Sequence, residues 1–442
     1  MQIKLSDHFT YRKLLRFTLP SIVMMIISSI YSVVDGLFVS NFVGDMALSA
    51  VNIIFPSTMI VGSIGFMLGT GGSAIVARTL GEGDPTLANR YFSMIIYSVI
   101  LLGIVLGGLC AVLIEPIAVL SGANDALMAD CISYGRILTL GTVLFMLQTS
   151  FQSFLVVAEK PQMGLALSIA AGVTNMVCDY LFIAVFKMGV TGAALATAMG
   201  FAVGSVIPLV YFIRAKDGLR LTHTRFYPRQ FLQTCTNGSS ELMSNISASL
   251  VGILFNIQLM RIIGEPGVAA HSVMMYVDFV FVAAFLGFSL GSAPIISYHY
   301  GADNRDELKN VFRKSMAVIA VTSLAMVAVS ELLSRPLSFA FVGYNDELLE
   351  MTVHGFRLFA LCYFFSGINI YGSAFFTALS NGAVSALLSF ARSLVLRGGL
   401  VLLLPLWLDL DGVWLSVVVA DGLAALLAVV FLIKRRHRYH YL

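Results

Sequence analysis

Several acidic side chains sit where apolar sequence should carry none. Asp35 lies 19 residues beyond Arg16 and Asp179 lies 19 residues beyond Lys160, each deep in a long apolar run. An acid at the centre of a membrane-spanning helix costs about 2.5–3.5 kcal/mol on insertion scales, so each needs a partner, water or a task. Tyr31 precedes Asp35 by four positions and Asn175 precedes Asp179 by four, which puts each pair on one helical face. Thr197, in a glycine- and alanine-rich stretch, can approach them, because small residues let spanning helices come close. Two buried carboxylates in one pocket cannot both stay ionised at low cost, so such a pair can carry a proton. Asp35, Asn175, Asp179 and Thr197 also offer the oxygen ligands that a small hard cation such as Na+ takes. The residues leave proton and sodium equally open, and Tyr31 borders either.

A second group stands in the other half of the chain: Glu241, Asp278 and Asp421, on three different apolar segments. Glu241 and Asp278, with Gln152 from the first half, are candidates to line a cavity for a cationic substrate, whereas Asp421 reads as an internal polar contact. Other chemistries lack their motifs. There is no GxxxxGK[ST] phosphate loop, so neither ATP hydrolysis nor an ATPase subunit is implied; HExxH is absent, and Gly287-Phe288-Ser289-Leu290-Gly291 fits GxSxG only in letters, since it lies within an apolar run rather than at a strand-to-helix turn. Gly69-Thr70-Gly71-Gly72-Ser73 is glycine-rich but lies within an apolar segment, where it serves helix packing. The five cysteines are scattered singly, with no CxxC. No enzyme and no cofactor are expected. A formal charge of +3 with dispersed bases gives no nucleic-acid footprint.

The elements that must position these residues follow from composition. Of 442 residues, 58% are hydrophobic and 12% charged, about half the charge of a soluble domain, so the apolar mass must face lipid. Runs long enough to cross a bilayer recur near 14–43, 46–78, 87–114, 127–158, 162–186, 190–214, 229–262, 268–300, 310–333, 346–379, 383–408 and 412–434. The expected fold is an all-α integral membrane protein of twelve transmembrane helices. Placing the N-terminus in the cytoplasm collects about 20 Lys/Arg on that side and leaves Lys187, Arg261 and Arg335 opposite, so both termini are expected in the cytoplasm. The first apolar run is too long for a cleaved signal and reads as an uncleaved span.

Shifting the sequence by about 220 residues brings its turns into register. Gly65-Phe66-Met67-Leu68-Gly69 meets Gly287-Phe288-Ser289-Leu290-Gly291, Gly122-Ala123-Asn124-Asp125 meets Gly343-Tyr344-Asn345-Asp346, and Arg136 meets Arg357. Two six-helix repeats, entering the membrane in the same direction, are therefore expected about a pseudo-two-fold axis along the membrane normal. The expected division is an N-terminal lobe at 1–213, a basic linker at 214–228 and a C-terminal lobe at 229–442. The repeat-equivalent of Asp35 is Phe255, so the scaffold itself does not need the acid.

Over essentially its full length the chain resembles the multidrug and toxic compound extrusion (MATE) family. Pro20, Val34-Asp35-Gly36, the run from Gly287 through Pro294 to Gly301-Ala302, and Asp411-Gly412-Val413-Trp414-Leu415-Ser416 with Ala420-Asp421 carry the likeness. The resemblance implies export of amphipathic, often cationic compounds from a bacterial cytoplasmic (inner) membrane, in antiport with protons or sodium ions, by alternation of a two-lobed bundle. In its DNA-damage-inducible and archaeal-like branches, Asp35 and Asp179 match the acids of an N-lobe cation site, and Asn175, Thr197 and Tyr31 match its polar neighbours. Glu241 matches one acid of a second, C-lobe pattern, but the tenth span carries no acid, which moves the coupling site to the N-lobe.

Two other readings compete. A flippase for a lipid-linked sugar or peptidoglycan precursor would present arginines to the central cleft, and Arg392 and Arg397 are the candidates. A non-transporting membrane scaffold gives no reason for the N-lobe acids.

Overall fold

Backbone groups in hydrocarbon find no partner in the solvent, so a spanning chain must bond them internally. The computed structural model does so with helices alone, and no strand occurs among the described residues. It describes residues 3–43 and 45–442, apart from the side chains of 32–41 and 45–48; Asp35 is in that range, so its side chain lies outside the described residues.

The first repeat comprises α1 (Tyr11–Phe42), α2 (Asp45–Gly81), α3 (Pro85–Val112), a short α4 (Ile114–Leu120), α5 (Asp125–Leu140), α6 (Thr142–Val157), α7 (Pro161–Asp179) and α8 (Gly189–Arg214). A π-helical turn, Tyr180–Val185, extends α7. The second comprises α9 (Pro228–Ile262), α10 (Glu265–Gly301), α11 (Arg305–Val342), α12 (Asp346–Ala360), α13 (Tyr363–Ala378), α14 (Gly382–Phe390), α15 (Arg397–Leu403) and α16 (Pro405–Tyr439), with a π-helical turn, Ala391–Leu396, joining α14 to α15. Among the described residues, ten helical segments are long and apolar enough to cross a membrane, and counting each bent pair, α5–α6 (48°) and α12–α13 (47°), as one span brings the number to twelve. The chain is a multi-pass membrane protein of the expected fold class.

Local chemistry repeats with the architecture. Asp84 and Asn304 cap α3 and α11, accepting from the backbone N–H groups of Leu87 and Glu307, and Asn124 and Asn345 do the same for α5 and α12. The ninth span outruns its apolar stretch. Arg335, expected in a loop, is still helical and pairs with Glu350 at 2.8 Å. The expected boundary between the last two spans survives as a break within α16, where Asp409 takes φ 47°.

Contacts between the halves are reciprocal. Gly81 lies against the Tyr298 carbonyl and Gly301 against that of Arg78; Gly291 lies against Thr18 and Gly71 against Gly238. Adding 220 to one residue and subtracting it from the other turns each contact into its partner, which is the signature of a two-fold relation. The axis passes between α2 and α10, and the lobes meet where α1 crosses α10 and α2 crosses α9. A Cβ at Gly238 would overlap the Met67 carbonyl oxygen, and one at Gly287 would lie 2.6 Å from that of Ser21, so glycine sets these approaches.

These contacts lie in the half of the bundle nearer the chain termini, and the N-terminal segment reinforces them. Leu5 and Phe9 are buried. The Leu5 N–H donates to Glu159 Oε1 (2.7 Å), on the α6–α7 turn of the first repeat. The Phe9 N–H donates to Glu307 Oε1 (2.8 Å), on α11 of the second, and Lys314 Nζ donates to the Phe9 carbonyl (2.6 Å). Residues 3–9 thus strap the two halves together. Asn89 and Ser93 of α3 hold Gly218, Arg220 and Thr222, so the linker rides on the first repeat.

Candidate functional site

All five candidate coupling residues lie on three helices that pack together, α1, α7 and α8. Asn175 and Asp179 sit one turn apart on α7 and are both buried, Asp179 completely. Gly172, one turn earlier, faces the Tyr31 ring of α1, where an added Cβ would come within 3.0 Å of Cδ1. Gly200 of α8 faces the other flank, 3.2 Å from the Asn175 Cβ by the same measure. Thr197 stands on α8 one turn before Gly200, its hydroxyl donating to the Ala193 carbonyl at 3.0 Å. That bond uses the hydroxyl proton and leaves oxygen lone pairs to offer a ligand. Asp35 follows Tyr31 by one turn on α1, with its side chain outside the described residues.

Two features distinguish this part of α7. Both amide atoms of Asn175 are buried without a hydrogen-bond partner, a state that costs about 1–3 kcal/mol per group unless water or an ion completes it. The helix also changes register immediately after Asp179, where the π-helical turn begins, and such turns concentrate at functional sites. The donors are all oxygens: a carboxylate, an amide carbonyl and a hydroxyl. That set fits a hard monovalent cation, and the carboxylate fits a proton.

The second group divides. Asp421 of α16 is fully buried and accepts from Arg392 through Nε (3.1 Å) and Nη2 (2.8 Å), from Arg397 through Nε (3.0 Å) and Nη2 (3.0 Å), and from the Ser366 hydroxyl (2.7 Å). It is an internal polar contact, as expected, but one that binds both arginines side-on. Five residues separate Arg392 from Arg397, which in an α-helix turns them about 140° apart. The intervening π-helical turn, with its i→i+5 hydrogen bonds, widens the helix there and narrows that angle, and both guanidinium groups reach Asp421. Asp278 of α10 lies within electrostatic reach of Arg397, Arg392 and Asp421, beside Tyr363. Glu241 of α9 has no charged neighbour within that reach among the described residues, so the structure does not join it to Asp278. Gln152 of α6 lines a crevice with Gln148 and Ser168, in the first repeat and away from both. In the sequence Arg392 and Arg397 stand together as candidates for the central cleft and Asp421 stands apart, so their shared ion pair was missed. The spacing of the two arginines was its only signal.

The MatE family model matches residues 20–181 and again residues 242–401, once in each repeat. Multidrug export protein MepA of Staphylococcus saprophyticus is 23% identical over 437 residues, covering 96% of this chain and 94% of that protein. MepA of Staphylococcus aureus is 21% identical over 430 residues, with 96% and 94% covered. Among solved structures, a MATE protein in complex with MaL6 superposes with a TM-score of 0.92 at 22% identity, covering 98% of both chains. An outward-facing multidrug resistance MATE transporter gives 0.91 at 22%, covering 98% and 97%. A Pyrococcus furiosus transporter described as having a binding pocket of reversed polarity gives 0.89 at 23%, covering 97% and 96%. At these identities the structural likenesses establish the fold.

Proposed function

The chain belongs to the MATE family, and on that premise we propose that it is a secondary active exporter of amphipathic, cationic compounds, driven by inward protons or sodium ions. The observation that carries the coupling is Asp179, an acid buried in a lipid-spanning bundle next to an unsatisfied Asn175 amide. The proposed site comprises Asp35, Asn175, Asp179 and Thr197 as ligands with Tyr31 beside them, and Glu241, Asp278 and Gln152 are proposed to contact substrate. Residues 1–213 and 229–442 act as the two moving lobes, joined by 214–228. The termini face the cytoplasm of a bacterial cell, the membrane is the cytoplasmic one, and the arrangement described here is closed on that side.

Loading the N-lobe acids alters their charge and favours one packing of α1, α7 and α8 over another, and a shape change follows only from such differential binding. At 100 mV and one pH unit an inward proton releases roughly 3.7 kcal/mol, which sustains several-hundred-fold accumulation of a neutral solute. In one-for-one exchange with a monovalent cation, the electrical contributions cancel and the chemical gradient alone drives the cycle. The flippase alternative is disfavoured by Asp421, which neutralises one of the two positive charges that a pyrophosphate would need.

The test is ethidium efflux from cells expressing Asp35→Asn or Asp179→Asn. Each variant is expected to insert normally and lose export. Efflux at the unmodified rate by either one removes the proposed coupling site.

A further inference from the structure

The fourth span leaves a space at its bend. α5 and α6 meet at Gly141 at 48°, and Thr139 and Thr142, on either side of that glycine, line a cavity of about 150 Å³ together with Ser57, Thr58 and Val61 of α2 and Cys110 of α3. Close-packed interiors hold few voids larger than a water molecule, so one of this size calls for a cause. Its position is peripheral, because α3 packs on α2, α5 and α6 at the outside of the first repeat. Ile60 at its edge is 38% exposed, and Leu109 and Leu113 beside Cys110 are exposed as well, so the cavity is reached from lipid. None of the residues proposed to bind the coupling ion or to contact the exported compound lines it.

The lining sets the polarity of a guest. Among the described residues around the cavity none is charged, and each hydroxyl donates to a carbonyl of its own helix: Ser57 to Ile54 (2.6 Å), Thr58 to Phe55 (3.0 Å), Thr139 to Gly135 (2.7 Å) and Thr142 to Leu138 (3.2 Å). No hydroxyl proton remains for a guest. An apolar cavity of this volume stays dry and accepts a molecule the size of benzene. The internal repeat supplies the shape. The shift that pairs Arg136 with Arg357 also pairs Thr142 with Tyr363, and the two spans bend there by 48° and 47°. Tyr363 is fully buried, its ring 5.3 Å from that of Phe281. The second repeat therefore closes the gap inside its bend with an aromatic ring of its own, and the threonine of the first leaves it open.

We propose that this cavity is a binding site for a small uncharged arene dissolved in the bilayer, whose ring takes the place that the Tyr363 ring takes in the second repeat. The site is independent of the exporter reading, since it shares no residue with the proposed coupling and substrate contacts. A charged or strongly polar group would lose its hydration there without gaining a partner. The end of a lipid chain has the required polarity but not the ring that the equivalent position holds.

The experiment uses the full-length protein in lipid nanodiscs and fluorobenzene as the probe, read by fluorine relaxation, with protein-free nanodiscs as the reference for partition into lipid. The unmodified protein and Thr142→Val, which keeps the volume and removes only a committed hydroxyl, should bind alike. Thr142→Phe should fill the gap as Tyr363 does and weaken binding at least about tenfold, within the range for forcing a group into occupied space. In crystals of the unmodified protein soaked with iodobenzene, the iodine should lie between α2, α3 and the bend of α5 with α6. Equal binding by the unmodified protein and a folded Thr142→Phe variant overturns the proposal, and so does loss of binding in Thr142→Val. Iodine found only elsewhere, or a lipid chain in the cavity that iodobenzene does not displace, also overturns it. If Thr142→Phe does not fold, Val61→Phe from the α2 wall takes its place. Ethidium export is measured separately, so failure of the exporter reading is distinguishable from failure of this site.

Discussion

Replacing Gly287 by alanine should push the lobes apart. The new Cβ would lie 2.5 Å from the Ile22 Cα and 2.6 Å from the Ser21 carbonyl oxygen, both backbone atoms that cannot rotate away. Ordinary carbon contacts need about 3.5–4.0 Å, so α1 and α10 must separate by about 1 Å. Overpacking of this kind costs roughly 1–3 kcal/mol, equivalent to a shift of about 5- to 150-fold toward any arrangement that lacks the contact. Spin labels at Thr86 and Asp306, exposed residues at repeat-equivalent positions on the face bearing the termini, would report the separation in a cysteine-free background. Longer distances should appear in Gly287→Ala. They should not appear in Gly108→Ala, where an added Cβ meets nothing within 4 Å. An unchanged distance distribution in Gly287→Ala, with thermal stability intact, would refute the reasoning that backbone contact between the lobes holds this arrangement.

Other consequences follow from the ionisable groups. Burial raises the Glu159 carboxyl above its ordinary value of 4.5, against the lowering effect of the Leu5 N–H. The docked strap therefore holds a proton that the released one gives up, so this group's contribution is full below about pH 4.5 and fades as pH rises through the raised value. Hydrogen-exchange protection at Leu5, corrected for intrinsic rate, should fall over that window and lose the dependence in Glu159→Gln; protection that rises with pH contradicts the linkage. In the second repeat, removing either Arg392 or Arg397 leaves Asp421 paired, but removing both strands a buried charge at about 3–5 kcal/mol. Thermal unfolding should show the double loss exceeding the sum of the single ones, and strict additivity would mean that the two arginines do not share Asp421.

Most of the architecture was legible because hydrocarbon imposes a simple rule: long apolar runs become spans, and Gly-Asp or Gly-Asn turns end them. The 220-residue register matched the turn at 122–125 with that at 343–346, whose Asn124 and Asn345 both cap helices, and the same shift relates Gly81 to Gly301 and Asp84 to Asn304, pairs the sequence reading did not name. Broken helices were less legible. Nothing in the apolar pattern distinguishes the bend at Gly141 from a glycine that packs, and the bend at Leu361 and Cys362 has no breaker residue at all. In the first repeat, four-residue spacing identified Asn175 with Asp179 because α7 is regular up to that point. In the second it failed, because the π-helical turn changes the angular phase between Arg392 and Arg397, and a turn type of that kind has no residue code. Glu241 and Asp278 looked alike in sequence, as lone acids in apolar helices. Only the packing shows that one joins a charged cluster and the other does not.

The most direct measurement of the coupling claim is ethidium transport by the purified protein in liposomes, with proton and sodium gradients imposed one at a time. One of the two gradients should drive uphill movement in the unmodified protein, and the same gradient should drive none in Asp179→Asn. Uphill transport by Asp179→Asn at the unmodified rate would contradict the account.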